Sequence, residues 1–313
     1  SALIIAIDAS TGIERWRLPT DHPTSATPAV AGGIVYAGDA GGTVYALDAS
    51  TGEERWRKDL QGKWTSEPVV VGDTVIIAAT IAKAPLHIAV QDGTVVVGSG
   101  FAGRPADGFR VYAFDRRTGE ERWHTGDDRS GQPGRFAFDS ESGAPMWQFA
   151  LPSLESGPAI ADEHVLAGSS LDSTMYALDL ASGSETWRAP IAGDLPINSS
   201  PAVSGGRVFV ATTSGVVLCL SEVSGEVCWE SSAEHASLTS SPVVVGSTVY
   251  VVDTEFGVSA VSAIDGAVLW NEQLDLSGQV VVSPVVVNGK LFIGTSLESN
   301  TAYAATLWAL AGS

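Results

Sequence analysis

The segment Asp48-Ala-Ser-Thr-Gly-Glu-Glu-Arg-Trp56 recurs along this 313-residue chain as an Asp-x-x-x-Gly-x-x-x-Trp pattern, which degenerates in the last two copies. The copies end at seven tryptophans: Trp16, Trp56, Trp123, Trp147, Trp187, Trp229 and Trp270. Four of the six spacings between them are 40, 40, 42 and 41 residues, and the other two, 67 and 24, together span about two periods. An internal repeat of about 41 residues therefore organises the whole chain.

Each repeat also has an upstream half, as in Ser240-Ser-Pro-Val-Val-Val-Gly-Ser-Thr-Val-Tyr-Val-Val252. Two short β-branched runs joined by a tight glycine turn predict a β-hairpin, and the downstream half, such as Val44–Trp56, predicts a second one. Four short strands per period are typical of a propeller blade. We therefore predict an all-β fold, a single β-propeller domain over residues 1–313 with four-stranded antiparallel blades.

The number of blades and the closure follow from the ends of the chain. Seven tryptophans favour seven blades, with eight as the alternative. Residues 1–18 hold the second hairpin of a blade, and residues 283–310 hold a first hairpin plus one further strand. Pairing of the N- and C-terminal strands is the expected closure, because it removes exposed edges. Residues 66–148 depart from the pattern and are predicted to form eight strands in chain order, making two irregular blades.

The recurring Asp, Gly and Trp residues can each be explained by a structural role. Asp48 can accept hydrogen bonds from the backbone of its own turn, and Gly52 supplies the positive φ that closes such a turn. Trp56 is large enough to pack between adjacent blades, with its indole N–H on a carbonyl oxygen. We therefore assign all seven repeat tryptophans a structural role.

Charge and hydropathy exclude several classes of partner. The chain has 36 acidic and 17 basic residues, a net charge of −19, which argues against binding to nucleic acid or to anionic membrane surfaces. No apolar run reaches the roughly 18 residues that a transmembrane helix needs. We expect a monomer without a transmembrane segment, located outside the cytoplasm (periplasmic, cell-surface or secreted).

Two cysteines occur, Cys219 and Cys228, on the predicted third and fourth strands of one blade. Counted around the intervening turn they lie roughly opposite each other, a placement that suits a cross-strand disulfide. Such a disulfide would indicate an oxidising compartment. The alternative is two small residues, one buried and one exposed.

The loops on one predicted face are short and uniform, whereas those on the other face vary in length and composition. Binding residues concentrate on loops held by a rigid scaffold, and aromatic residues and arginine are common anchors of protein interfaces. The variable face is therefore the predicted site for a protein or peptide partner. Its candidate residues are Lys63, Trp64, Phe101, Arg104, Asp194, Asn198, His235 and Phe256.

The pattern Tyr45-Ala-Leu-Asp-x-x-Thr-Gly-x-x-x-Trp56, preceded by Ser-Pro-x-Val and Val-Tyr-x-Gly, resembles the pyrroloquinoline-quinone (PQQ) enzyme repeat. The resemblance covers nearly the whole chain and implies a propeller of seven or eight blades. The family contains quinoprotein alcohol dehydrogenases. It also contains non-catalytic members, such as the BamB-like outer-membrane β-barrel assembly lipoprotein and the sensor domains of some bacterial Ser/Thr kinases.

The residues favour the non-catalytic class. Catalytic members carry two adjacent cysteines beside the quinone and are about twice as long, whereas Cys219 and Cys228 are nine positions apart. The five histidines are scattered without metal-ligand spacing. We predict a non-enzymatic binding scaffold without a cofactor or metal ion. The alternatives are a PQQ- and calcium-dependent dehydrogenase and a carbohydrate-binding propeller, for which Trp64 would be the first aromatic to test.

Overall fold

The computed structural model describes most of the chain and contains only β-strands, turns and loops in that part. The described residues are 2–8, 13–24, 27–60, 64–80, 86–99, 109–127, 134–150, 156–193, 196–232, 237–238, 240–274, 279–280, 283–287, 290–299 and 302–311. No helix in these ranges is long and apolar enough to cross a membrane. The chain divides into two compact units, which are described separately.

Unit 1 comprises Ser1–Leu154 with Ala181–Gly183. Its strands are β1 (Ala2–Ile7), β2 (Glu14–Thr20), β3 (Ala29–Ala31), β4 (Ile34–Gly38), β5 (Thr43–Asp48), β6 (Glu54–Asp59), β7 (Trp64–Thr65), β8 (Val69–Val71), β9 (Thr74–Thr80), β10 (Leu86–Gln91), β11 (Thr94–Ser99), β12 (Phe109–Asp115), β13 (Glu121–Asp127), β14 (Gly134–Asp139) and β15 (Pro145–Ala150). They form the two-stranded sheet β1-β2, the four-stranded sheet β3-β4-β5-β6, and two further sheets described below.

Unit 2 comprises Glu155–Leu180 with Ser184–Ser313. Its strands are β16 (Ala159–Ala161), β17 (His164–Ser169), β18 (Thr174–Asp179), β19 (Glu185–Pro190), β20 (Ala202–Ser204), β21 (Arg207–Ala211), β22 (Val216–Ser221), β23 (Val227–Ser232), β24 (Val243–Val245), β25 (Thr248–Val252), β26 (Gly257–Ser262), β27 (Val268–Gln273), β28 (Gln279–Val280), β29 (Val285–Val287), β30 (Lys290–Ser299) and β31 (Ala302–Ala311). Three sheets run in chain order, β16 to β19, β20 to β23 and β24 to β27, and in the fourth β30 pairs with β28, β29 and β31.

The predicted strand order in residues 66–148 is wrong. β9 pairs with β12, not with the next strand along the chain, so one sheet contains β8, β9, β12 and β13, with β7 also on β9. The hairpin β10-β11 lies between them in sequence and joins β14 and β15 in a separate sheet. The eight strands of residues 66–148 divide four and four between two sheets, as predicted, and β7 adds a fifth strand to the first. The two sets interleave in sequence because the β12-β13 hairpin pairs with β8-β9 and not with the hairpin β10-β11 that precedes it.

One register rule holds in both units, and in unit 2 it places His164 opposite Asp179 and Arg207 opposite Ser221. The first residue of the second strand faces the residue that opens the repeat turn, as in Ile34 opposite Asp48 and Thr94 opposite Asp139. The middle strands are almost wholly buried, whereas the outer strand β6 buries only Trp56 and part of Lys58. The middle strands therefore have continuous apolar sequences, whereas an outer strand such as β6 consists of charged residues around a single tryptophan.

The repeat tryptophans hold neighbouring sheets together. In six cases a glycine of the following repeat turn lies so close to the indole that a Cβ atom there would be only 2.4–2.7 Å from a ring atom. The pairs are Trp16 with Gly52, Trp56 with Gly119, Trp123 with Gly143, Trp147 with Gly183, Trp187 with Gly225, and Trp229 with Gly266. These glycines also have φ near +70°, a backbone conformation that residues with a Cβ rarely adopt. Glycine is therefore required at these positions both by the close approach of the indole and by the positive φ.

The indole N–H completes each contact. Trp56 Nε1 donates to the carbonyl oxygen of Arg116 at 3.0 Å, and Trp187 Nε1 donates to that of Glu222 at 2.9 Å. In both cases the acceptor lies three residues before the glycine that the ring covers. Trp56 and Trp187 thus bury a large apolar surface and satisfy their polar atom at the same seam. The indoles of Trp16, Trp123 and Trp229 donate in the same way to the carbonyl oxygens of Ala49, Ser140 and Ala263.

The terminal strands pair locally, β1 with β2 and β31 with β30. Closure by pairing of the two ends, the number of blades and a single domain over residues 1–313 stay predictions.

Candidate docking surface

Several repeat turns on the uniform side are closed by their own aspartates, among them Asp48, Asp115 and Asp139. The Asp48 carboxylate accepts hydrogen bonds from the backbone N–H groups of Ser50 at 2.9 Å and Thr51 at 3.1 Å, and from Arg55 Nη2 at 2.7 Å. The Arg55 bond and the turn donors lower the pKa of Asp48 well below its ordinary value. This side of the sheets is therefore built from self-satisfied turns, which leave little polar capacity for a ligand.

The opposite side carries the turns between the second and third strands. Asp39, at the end of β4, is fully buried and accepts from the Thr43 N–H at 2.9 Å and from the Tyr45 hydroxyl at 3.0 Å. Tyr176 makes the same bond to Asp172 at 2.5 Å, and burial followed by this carboxylate raises the pKa of Tyr176 to about 12. Buried Asp39 and exposed Asp172 therefore both have structural partners.

The turn from Asp253 to Phe256 has the same backbone hydrogen bonds to its aspartate as the Asp39 turn and differs from it at the position of Phe256. Asp253 accepts from the N–H groups of Glu255 at 2.8 Å and Gly257 at 2.7 Å, as in an Asx turn. Phe256 occupies the position of Gly42 and has φ +67°, which is unusual for a bulky residue. Its side chain is 7% exposed, so it is not the exposed aromatic that its sequence position predicts.

A row of serines connects the first strands of successive sheets in unit 2. The Gly157 N–H donates to Ser200 Oγ at 2.7 Å, the Ser200 N–H donates to Ser241 Oγ at 3.0 Å, and the Ser241 N–H donates to Ser283 Oγ at 3.0 Å. The repeated Ser-Pro dipeptides were a signal for this row, but the sequence did not show that each hydroxyl serves the neighbouring repeat. The row ties the loops on this side to the sheets.

The structure places only some of the predicted site residues. Trp64 lies in β7, paired with Thr80. Asn198 is half-buried beside the serine row, and within the described residues its Oδ1 atom has no hydrogen-bond partner. Lys63, Phe101, Arg104, Asp194 and His235 lie outside the described residues. The variable-face site therefore stays a prediction.

The two cysteines are both free thiols in the structure, Cys219 buried and Cys228 exposed. Cys219 lies opposite Trp229, and a β-bulge between Cys219 and Leu220 brings Cys228 beside it. Burial, and then a hydrogen bond with the Cys228 thiol, raise the pKa of Cys219 to about 12. The predicted disulfide is not formed here, and the arrangement matches the alternative of one buried and one exposed residue.

Metal-ligating side chains are dispersed in the described part of the chain. No group of three or more His, Cys, Asp or Glu residues there is arranged to hold a metal ion. His164 is instead paired with Glu222, with 2.5 Å between Nδ1 and Oε1, and this pair lies among packed strands. The described residues therefore offer a partner mainly turns and strand edges.

Solved structures with the same arrangement of sheets define the class. BamB from Moraxella catarrhalis matches with a TM-score of 0.68 at 17% identity, over 94% of this chain and 88% of that one. A europium-containing methanol dehydrogenase matches with a TM-score of 0.65 at 15% identity, over 94% and 79% of the two chains. The computationally designed protein Ika8 matches with a TM-score of 0.59 at 14% identity, over 92% and 96%. The fold is a β-propeller of four-stranded antiparallel sheets.

The family follows from the sequence comparison. The model described as "Outer membrane protein assembly factor BamB" matches residues 1–136 and 134–308, so the chain belongs to this PQQ-like family. The outer membrane protein assembly factor BamB of Yersinia pestis is 28% identical over 115 residues. That match covers 33% of this chain and spans only 28% of the length of the Yersinia pestis protein.

Proposed function

We propose that this chain is a non-catalytic scaffold outside the cytoplasm that binds proteins involved in outer-membrane protein assembly. The observation that carries the proposal is the family match, which extends over both halves of the chain, residues 1–136 and 134–308. The Yersinia pestis relative is named as an outer membrane protein assembly factor.

The geometry supports a scaffold in which one side supplies stability and the other supplies contacts. The seams at Trp16, Trp56, Trp123, Trp187 and Trp229, together with the self-satisfied aspartate turns, fix neighbouring sheets within each unit. The serine row fixes the inter-sheet connections on the opposite side through one serine hydroxyl each, so the other side chains of those connections are not needed for it. Such loops can change in sequence without disturbing the sheets, as a docking platform requires.

Site-specific photo-crosslinking tests this proposal. A photoreactive residue at position 101, which the sequence predicts to lie on the variable face, should crosslink to proteins of outer-membrane assembly in the envelope fraction of the cells that produce the chain. The matched control is position 117, where exposed Arg117 lies on the uniform face. Crosslinks to the same proteins from both positions, or none from position 101, would contradict the proposed site.

The dehydrogenase alternative has a separate test, because the methanol dehydrogenase similarity at 15% identity concerns the fold alone. Purified chain is mixed with PQQ and calcium and assayed for reduction of an electron-accepting dye and for a shift in melting temperature. A scaffold gives neither signal. Dye reduction that depends on both additions would replace the scaffold proposal with a catalytic one.

A further inference from the structure

Most outer strands carry a device that discourages pairing with another chain. In β2, β6, β13 and β19 the glutamate two residues before the repeat tryptophan binds the cationic or imidazole side chain one residue after it. These pairs are Glu14–Arg17, Glu54–Arg57, Glu121–His124 and Glu185–Arg188. In β15 the glutamate position is Pro145, which has no N–H to donate. Charged side chains and proline are the usual means of blocking strand edges.

Two successive outer strands, β23 and β27, lack this device. Val227 and Val268 occupy the glutamate position, and Glu230 and Asn271 occupy the position of the cation. The turns before these two strands also carry an exposed apolar residue each, Val223 and Ile264. Five apolar side chains, each 45–71% exposed, result: Val223, Val227, Ile264, Val268 and Leu269. We call them the β23/β27 patch.

The two strands of the patch belong to adjacent sheets. Gly266, in the turn before β27, packs on the Trp229 ring of β23, and Trp229 Nε1 donates to the Ala263 carbonyl oxygen at 3.3 Å. Ile264 lies in that same turn. The apolar side chains of β23 and of the β26–β27 turn therefore adjoin across a packed seam.

The two segments that carry the patch have charged side chains of one sign, and the neighbouring cation Arg207 is engaged by the Ala263 carbonyl oxygen, to which its Nη1 donates at 2.7 Å. Residues 221–232 and 262–273 contain no lysine or arginine. They contain four exposed acids, Glu226, Glu230, Asp265 and Glu272. A second copy of this chain, with a net charge of −19, would bring like charges together here. A basic partner would bring complementary ones.

We propose that the β23/β27 patch docks an extended protein segment in which apolar residues alternate with lysine or arginine, added as a strand to the edge of β27. In the described part of the chain β27 pairs with β26 alone, so its other edge can supply backbone hydrogen bonds. Alternate apolar side chains of the segment would cover the valines and Leu269. This surface is separate from the variable face and does not depend on it.

Fluorescence anisotropy with a labelled peptide that alternates valine and lysine tests the proposal, with a valine–glutamate peptide as the reference probe. The variant Val268→Glu/Asn271→Arg installs the Glu–Arg pair that three other outer strands carry, so it should fold normally. We expect it to weaken binding of the basic peptide about tenfold, the loss of one modest contact set. Added salt should weaken binding to the unchanged chain as well.

The matched control is Glu54→Gln/Arg57→Gln on the protected strand β6, which should leave the affinity unchanged. Equal binding of both peptides, no binding of the basic peptide, or equal affinity in the β27 variant would overturn the proposal. Sedimentation provides a further check. Self-association that the β27 variant abolishes would assign the patch to a second copy and overturn the basic-segment partner. Photo-crosslinking at position 101 is unaffected by any of these outcomes.

Discussion

Trp187 and Trp270 occupy the same position of the repeat but lie in different environments. Trp187 is 8% exposed, packs against Gly225 and donates its N–H to Glu222. Trp270 is 39% exposed, and within the described residues no glycine approaches its ring. The comparison shows that the tryptophan acts as a seam only when the turn of a following repeat covers it. A repeat tryptophan in the sequence therefore predicts a seam only together with a glycine turn that packs on its ring.

Replacing each tryptophan by alanine should sharpen this difference most. Trp187→Ala removes a buried ring and leaves a cavity, so we expect a loss of about 3–5 kcal/mol in the free energy of unfolding. Trp270→Ala removes a half-exposed ring and should cost about 1 kcal/mol. Urea denaturation followed by circular dichroism measures both. Equal losses would show that Trp270 is also covered by a turn.

The glycine side of the seam gives the next largest effect. In Gly225→Ala the new Cβ would lie 2.5 Å from the Trp187 ring at φ +71°, so strain and overpacking together should cost about 2–4 kcal/mol. Gly205 has a similar φ, +59°, but nothing within 4 Å of a Cβ, and Gly205→Ala should cost about 1 kcal/mol. Thermal unfolding of the two variants separates close packing from backbone strain. Identical melting temperatures would mean that the indole contributes nothing to the requirement for glycine.

Acid provides the smallest and most selective test. The turn that covers Trp56 begins with Asp115, whose pKa is held well below its ordinary value, chiefly by the hydrogen bond from Arg122. Its stabilising effect is present above the unfolded pKa of about 3.9 and is lost as pH falls towards the lower folded value. The turn that covers Trp187 begins with uncharged Ser221.

Asp115→Ser should therefore lower the melting temperature at neutral pH and reduce its further fall between about pH 5 and pH 2. The control Ser221→Ala, at a turn without a carboxylate, should leave the pH dependence unchanged. An unchanged acid profile in Asp115→Ser would show that the carboxylate is not stabilised in the folded state.

The sequence was a good guide to local structure. Alternating strands and Asp-x-x-x-Gly turns predicted the hairpins, and the turn at Asp48 forms with the hydrogen bonds that its residue types allow. These features depend on neighbours within about ten residues. The Ser-Pro dipeptides were visible in the same way, but the hydrogen bond from the Ser200 N–H to Ser241 Oγ joins two successive repeats and had no local signal.

The errors lie where a choice between distant partners was needed. β9 could pair with the next hairpin or with β12, and both choices satisfy the same alternation, so strand order in residues 66–148 was not decidable from pattern. The loop position of Phe256 predicted exposure, yet the side chain is buried in a turn with positive φ. The absence of the charge pair from β23 and β27 can be read from the sequence. Its consequence, an unprotected strand edge, became clear only when the structure placed both strands on the outside of their sheets.

The amino-acid sequence alone established the period, the hairpins, the turn chemistry and the propeller class, because each rests on short-range geometry repeated many times. Three-dimensional packing settled which hairpins share a sheet, which tryptophans are covered, and which strand edges stand unprotected. Those outcomes depend on contacts between residues tens of positions apart, and side-chain alternation is identical for every pairing that keeps the same face inward.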